Sequence, residues 1–259
     1  MRIANIWARI EGRYQRSVSR ILFRQPVLMK NSVPLISFTF DDFPRSALYT
    51  GGTILKSCGV KGTYYASFGL MGKQAPTGTI FTAEDLPELM SQGHELGCHT
   101  FHHFHSWDTS PAEFESSIEE NKRALKRLLP SAAFQTFSYP ITCPRPLTKR
   151  RTGRHFACSR GGGQTYNVGT ADFNHLSAYF LEKDGDDIGR VKAMIDRNSR
   201  DRGWLILATH DVCDSPTPYG CKPGLLGEVV RYAVQSGASV LPVIEALAVV
   251  RGKVGVTQA

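Results

Sequence analysis

The chain has 259 residues, 41% hydrophobic and 21% charged, enough apolar material for a large domain with a buried core, which excludes disordered and fibrous structure. No apolar run approaches the ~18 residues of a membrane span, and the N-terminus lacks the ~7–15-residue apolar stretch of a secretory signal, so a soluble, cytoplasmic protein is expected. The formal charge of +8 is unevenly placed: residues 1–30 hold seven Lys and Arg against one acid, while the rest holds 24 basic and 22 acidic residues and lacks the basic stripe of a nucleic-acid binder.

At 100° per residue, Ile3, Ile6, Trp7, Ile10, Tyr14, Val18, Ile21 and Leu22 share one side of a helix, and Arg2, Arg9, Arg13, Arg16, Arg20 and Arg24 share another arc. Residues 1–30 therefore read as a basic amphipathic helical segment. Its apolar face either lies on an anionic membrane surface through residues 1–24, as a peripheral contact at the inner membrane, or packs on the body or on a second copy of the chain. Glu11, on the apolar side, argues against insertion. Pro26 and Pro34 bracket a short linker into a single body, 31–259.

That body alternates strand and helix signals. PLISFTF is a β-branched apolar run, followed by a helix over Ser46–Ser57 and a strand in GTYYAS. Thr82 and Asp85 form a capping-box pair ahead of Leu86, Leu89 and Met90, with Gly93 ending that helix. Ser110, Pro111 and Glu113 open another, with Phe114, Ile118, Leu125 and Leu129 on one face. Strands are expected at His94–Cys98, Phe134–Tyr139, His155–Cys158, Leu176–Leu181, Trp204–Thr209 and Ser239–Leu241, and helices at Asp187–Asp201 and Gly224–Ser236. Repeated β-α units of this number favour an α/β barrel of parallel strands over a doubly wound sheet. The GGGQ run at 161–164 lacks the strand-to-helix setting of a nucleotide loop and reads as a turn. The six cysteines contain no CxxC and read as reduced thiols.

Polar residues gather where the expected strands end: Asp41 and Asp42 after ISFTF, His99 and His103 after ELGC, Tyr139 and Pro140 after FQTFS, His210 and Asp211 after WLILAT. Asp42 with two imidazoles makes a facial ligand set that leaves positions open on a divalent metal. The HxxxH spacing places both rings on one side of a helical turn. Asp41, beside the ligand, is positioned to take a proton from water acidified by the metal, and His210, arriving on another strand, to protonate a leaving group. These are the parts of metal-assisted hydrolysis of an amide or ester.

TFDD at 39–42, HTFHH at 99–103, SYP at 138–140 and ATHD at 208–211 stand in the order of motifs that resembles the polysaccharide deacetylases with a NodB-homology domain, carbohydrate esterase family 4. The similarity spans residues 34–245. The resemblance implies a distorted (β/α) barrel of about seven parallel strands that removes acetyl groups from N-acetylated sugars. It further implies Asp41 as general base, Asp42, His99 and His103 as ligands of one divalent metal (zinc, with cobalt, nickel or iron also acceptable to this donor set), and His210 as the acid. Tyr139 would lend its backbone N–H to the oxyanion, and Thr100 would support the ligand loop, with Pro140 beside Tyr139. The arginine usual in the third motif is missing, and Arg160 or Arg145 takes its place. The fourth motif is not placed, leaving Asp172 or another residue as the partner of His210.

Synthesis in the cytosol and a basic N-terminus suggest as substrate a surface glycan precursor, either a lipid-linked oligosaccharide or one derived from a nucleotide sugar. Two other readings remain open: a cyclic-amide hydrolase of the allantoinase type, and a non-catalytic glycan-binding barrel, against which the intact Asp41 argues.

Overall fold

The structure is a computed structural model; it describes residues 2–141, 143–185 and 187–252, and the side chains of residues 10–252 within them. The chain opens with α1 (Arg2–Ile21), β1 (Pro26–Leu28) and β2 (Leu35–Phe40), followed by α2 (Thr53–Ser57), β3 (Thr63–Ala66), and the hairpin of β4 (Gln74–Ala75) and β5 (Gly78–Thr79). The middle holds α3 (Asp85–Ser91), β6 (Glu95–Cys98), α4 (Pro111–Leu128), β7 (Thr136–Ser138), α5 (Pro146–Thr152) and β8 (Cys158–Arg160). The rest holds β9 (Thr170–Asp172), β10 (Tyr179–Phe180), α6 (Ile188–Asp201), β11 (Trp204–Thr209), α7 (Pro223–Gln235), β12 (Ser239–Val240) and α8 (Val243–Val250).

Every residue of β2 and β11 is buried, and the two strands pair in parallel from Leu35–Trp204 to Phe40–Thr209, as the centre of a sheet covered on both faces must. Around them the parallel order is β10-β11-β2-β3-β6-β7-β8; β12 pairs with the first two residues of β2, and β3 with its last two. A parallel bridge between Arg160 and Leu176 brings the segment entering β10 back to β8, so the sheet curls into a distorted barrel. Ile36, Phe38, Phe40, Leu205 and Leu207 pack in the cluster shared with the outer helices, whereas Leu35, Trp204, Ile206 and Ala208 belong to a second cluster with α8. At the N-terminal ends of the strands α8 forms a plug: the Val243 N–H donates to Thr63 Oγ1 and the Ile244 N–H to the buried carboxylate of Glu95, each at 2.9 Å. The opposite rim is left for chemistry.

Several elements depart from the sequence reading. The Ser46–Ser57 helix begins as a π-helical turn over Ala47–Gly52, where a Cβ on Gly51 would sit 3.2 Å from the Phe40 ring. Thr82 and Asp85 make only half a capping box, because the Thr82 N–H and hydroxyl both donate to the Asp85 carboxylate, which also holds Arg45. The full box forms at Ser110 and Glu113. The expected strand at His155–Cys158 is displaced to Cys158–Arg160, and only Tyr179–Phe180 of the Leu176–Leu181 run joins the ladder.

The linker at 26–34 carries β1, antiparallel to β9, which binds the N-terminal segment to the body. The helix α1 forms as expected; among its described side chains Ile10, Tyr14 and Ile21 are more than half exposed, with the Tyr14 ring edge-on to Trp107 of the body, and Ser19 is buried. Its carbonyl accepts from Lys149 at 2.6 Å, and the same buried ammonium is paired with Asp172. The expectation for Trp7 lies outside the described side chains.

Candidate active site

The rim of the barrel is built on strained backbone. Asp42 (φ 61°) and Phe43 (φ 53°) turn left-handed directly after β2, as do Thr100 (φ 61°) and His103 (φ 55°) after β6 and Ile141 (φ 55°) after β7. Each such residue costs on the order of 1 kcal/mol or more and persists only where its surroundings over-determine it. For Phe43 those surroundings are the Phe81 ring, stacked at 4.7 Å, and Tyr64 at 5.2 Å. The His99–His103 segment is therefore not the helical turn that its spacing suggests. It is an irregular loop, folded back by two left-handed residues and pinned to α4 where the Ser117 hydroxyl accepts the N–H groups of Phe101 and His102.

The loops bring Asp42, His99 and His103 together with their ligand atoms within 4.8 Å of one another. The Nε2 atoms of His103 and His99 lie 3.1 and 3.6 Å from Asp42 Oδ1. A carbonyl can only accept, so the 2.7 Å contact of His99 Nδ1 with Ser138 O puts the proton on Nδ1 and leaves the Nε2 lone pair facing Asp42. Asp42 Oδ2 accepts from Thr77, which the β4–β5 hairpin carries over the site, while Oδ1 is buried without a hydrogen bond. An orphaned carboxylate oxygen beside two oriented imidazoles is what a divalent cation requires, and the donor set suits one. Thr100 is buried with its hydroxyl unpartnered, so any support it gives the loop comes from its backbone conformation.

Asp41 points elsewhere. Its carboxylate meets Arg160 Nη2 at 2.5 Å, both side chains almost wholly buried, and the guanidinium lies over the Tyr65 ring at 4.7 Å. Burial alone would lift the Asp41 carboxyl, but Arg160, His99 and His210 together hold it below the ordinary value, so it is an anion without being a ligand. Asp42 is held well below the usual range, burial being outweighed by His103 and His99. Burial draws His99 down to about 4, while the nearby carboxylates of Asp42 and Asp41 outweigh burial at His103 and raise it.

Of the two arginines offered for the third motif, the β7–β8 register, which sets Ser138 beside Arg160, delivers Arg160. Arg145 instead donates to Thr109 O and lies over Trp107. Tyr139 is a correction: its N–H donates to Arg160 O at 2.9 Å and its ring is buried, with the hydroxyl donating to Asn174 O, so it offers the cleft no free donor. Pro140, also buried, leads instead to the exposed Ile141, whose N–H makes no hydrogen bond among the described residues.

Asp172 is a second correction. It is consumed by Lys149 and by the N–H groups of Gln25 and Asn174, so it ties down α1 instead of partnering His210. His210 instead meets Tyr219 O, which accepts from Nδ1–H at 3.1 Å, and its Nε2 makes no hydrogen bond among the described residues. The loop that returns Tyr219 is held by Asp211, which accepts from Thr217, and requires Gly220, where a Cβ would lie 2.4 Å from Asp211 O. Phe180 stacks on His210 at 6.5 Å.

Sequence reasoning missed Thr77 and Glu182. Glu182, in the turn after β10, has Oε2 buried without a partner; burial pushes it up to about 7, with the charge of Asp41 adding to the rise. An acid directly after a strand signal was the available clue.

Residues 29–152, just under half of the chain, match the family model for polysaccharide deacetylase. A comparison with curated protein sequences finds no match. Among solved structures, a family 4 acetyl xylan esterase from Clostridium thermocellum in complex with a cobalt ion superposes with a TM-score of 0.58 at 21% identity, covering 84% of this chain and 92% of that one. The peptidoglycan deacetylase PdaC from Bacillus subtilis gives 0.54 at 16%, covering 86% and 94%. A family 4 pseudoenzyme from Bacillus anthracis gives 0.56 at 14%, covering 84% and 66%. At these identities the likeness establishes the fold.

Proposed function

We propose that the protein is a metal-dependent hydrolase that removes acetyl groups from N-acetylated sugars of a surface glycan or its precursor. The observation that carries this reading is the division of labour between adjacent aspartates: Asp42 converges with His99 and His103, while Asp41 is kept anionic by Arg160 and free of the ligand cluster. A binding barrel has no use for the second carboxylate.

A divalent ion held by Asp42, His99 and His103 would supply Lewis acidity, polarising an acyl oxygen and acidifying water. Asp41 accepts the proton of the attacking water, its lone pairs oriented by Arg160. The N–H of Ile141, which makes no hydrogen bond among the described residues, is a backbone donor available to the developing oxyanion in place of Tyr139. His210, with Nδ1–H committed to Tyr219 O, presents Nε2 to carry a proton to the departing nitrogen.

The test is acetate release from a panel of N-acetylated oligosaccharides after defined zinc, cobalt or nickel loading, beside ring-opening of cyclic amides. Metal-dependent acetate with no ring-opening is expected. Ring-opening alone would assign the cyclic-amide chemistry, and neither product would leave a binding barrel.

A further inference from the structure

Beside Phe180, whose ring lies 6.5 Å from His210 and 5.7 Å from the Arg160 guanidinium, is a cavity of about 240 Å³ that the reaction above does not use. Arg16 and Arg20, one turn apart on α1, line one side, and Gly162, Gly163 and Lys183 line others. The cations nearer the core are matched, Arg160 by Asp41 and Lys149 by Asp172. Among the described residues Arg16, Arg20 and Lys183 make no ion pair, so three like charges converge on one small space. All three are exposed, Lys183 lying over the Phe180 ring, and their summed field favours an anion in that space.

The glycine turn adds donors. Gly161 N–H goes to Leu176 O and Gln164 N–H to Ala178 O, but between them the N–H groups of Gly162 and Gly163 make no hydrogen bond among the described residues. Gly163, at φ 152°, cannot carry a side chain, because a Cβ would lie 2.8 Å from Ser177 Oγ. Arginine forks, an ammonium and bare backbone N–H groups are the donors that bind phosphate oxygens. Together they exceed what the two oxygens of a carboxylate can accept.

Resting on the deacetylase reading, we propose that this cavity binds the phosphate or diphosphate of a sugar-phosphate substrate, placing its N-acetyl sugar past Phe180 at the Asp41 and His210 centre. The position of α1 thereby becomes part of substrate recognition. The shared chemistry is a sugar diphosphate, whose source is either a nucleotide or a polyprenyl lipid.

The metal-loaded enzyme is assayed with a neutral N-acetylated oligosaccharide, a nucleoside-diphosphate N-acetylhexosamine and a short-chain polyprenyl-diphosphate N-acetylhexosamine, and inorganic pyrophosphate is titrated calorimetrically. One diphosphate substrate should show the lowest KM, and the better arm identifies the source. Arg16→Ala, Arg20→Ala and Lys183→Ala should each raise that KM and weaken pyrophosphate roughly tenfold or more, the loss typical of one charge-assisted hydrogen bond. Arg127→Ala, on the exposed side of α4, should change neither. A neutral substrate preferred over both diphosphates, with no pyrophosphate binding, would overturn the proposal. So would inhibition by a glucuronate oligosaccharide as strong as that by pyrophosphate. Arginine-dependent pyrophosphate binding without acetate from any substrate would uphold the anion site and defeat the deacetylase reading on which its role depends.

Discussion

The two walls of the cleft are built by opposite means. The wall of Asp41, Asp42, His99 and His103 rises from β2 and β6, near the middle of the sheet, where burial, left-handed turns and fixed partners such as Ser138 O and Thr77 leave each group one orientation. The wall of Phe180, Glu182 and His210 stands on a two-residue strand, on the turn after it and on the residue that follows β11, with His210 half-buried and held through Tyr219 O, and α1 is latched beside it through Lys149. The first wall is organised before any substrate arrives, which is what electrostatic catalysis requires. The second has fewer buried groups and fewer fixed partners, so it is the side on which the substrate can vary.

If that contrast holds, damage to the first wall should be absolute. His99→Ala should abolish stoichiometric metal binding, read by elemental analysis, and acetate release with it. Damage to the second should depend on the substrate. His210→Ala should stop deacetylation of N-acetyl sugars, whose nitrogen needs a proton to leave, yet retain a visible fraction of activity on activated acetate esters. Equal losses on both would mean that His210 serves the water or the oxyanion instead.

Between these lies Arg160, which joins the walls. Arg160→Lys keeps a cation but loses the planar fork over Tyr65 and Phe180, and should lower turnover by roughly tenfold while the metal stays bound. Unchanged kinetics would show that Asp41 needs only a nearby charge.

Much of the first wall was legible because TFDD and HTFHH each follow a strand signal, as ATHD does on the second wall. What failed there was geometry: HxxxH implied a helical turn, and only the tertiary context explains why Thr100 and His103 turn left-handed instead. Tyr139 was misjudged because its N–H belongs to a β7–β8 register that no local pattern announces, and the same register chose Arg160 over Arg145. On the second wall Asp172 resembled a partner for His210 by type alone; its commitment to Lys149 spans 23 residues and involves the carbonyl of Ser19. The three-residue β1, set behind a proline, has no alternation to read.

The smallest effect lies at the other end of β6. His94 accepts the Gly62 N–H at Nδ1 and donates from Nε2 to Gln92, a neutral tautomer that burial holds down to about 4 against 6.5. A depressed histidine contributes stability that is complete above pH 6.5 and is lost as pH falls toward 4, at most about 3 kcal/mol here. Urea midpoints of the chelated protein should fall across that window, and His94→Gln, less stable at pH 7, should fall less steeply, the remaining slope coming from His99. Parallel slopes would show that His94 is not buried in its neutral form.

The division between the adjacent aspartates is tested most directly by metal stoichiometry and acetate turnover measured on the same preparations of wild type, Asp41→Asn and His99→Ala. Asp41→Asn should bind one equivalent of zinc as wild type does while turnover falls by roughly 10²–10⁴-fold, the range of general acid–base catalysis. Loss of the metal from Asp41→Asn as complete as from His99→Ala would contradict the account, because Asp41 would then be a ligand and not the base.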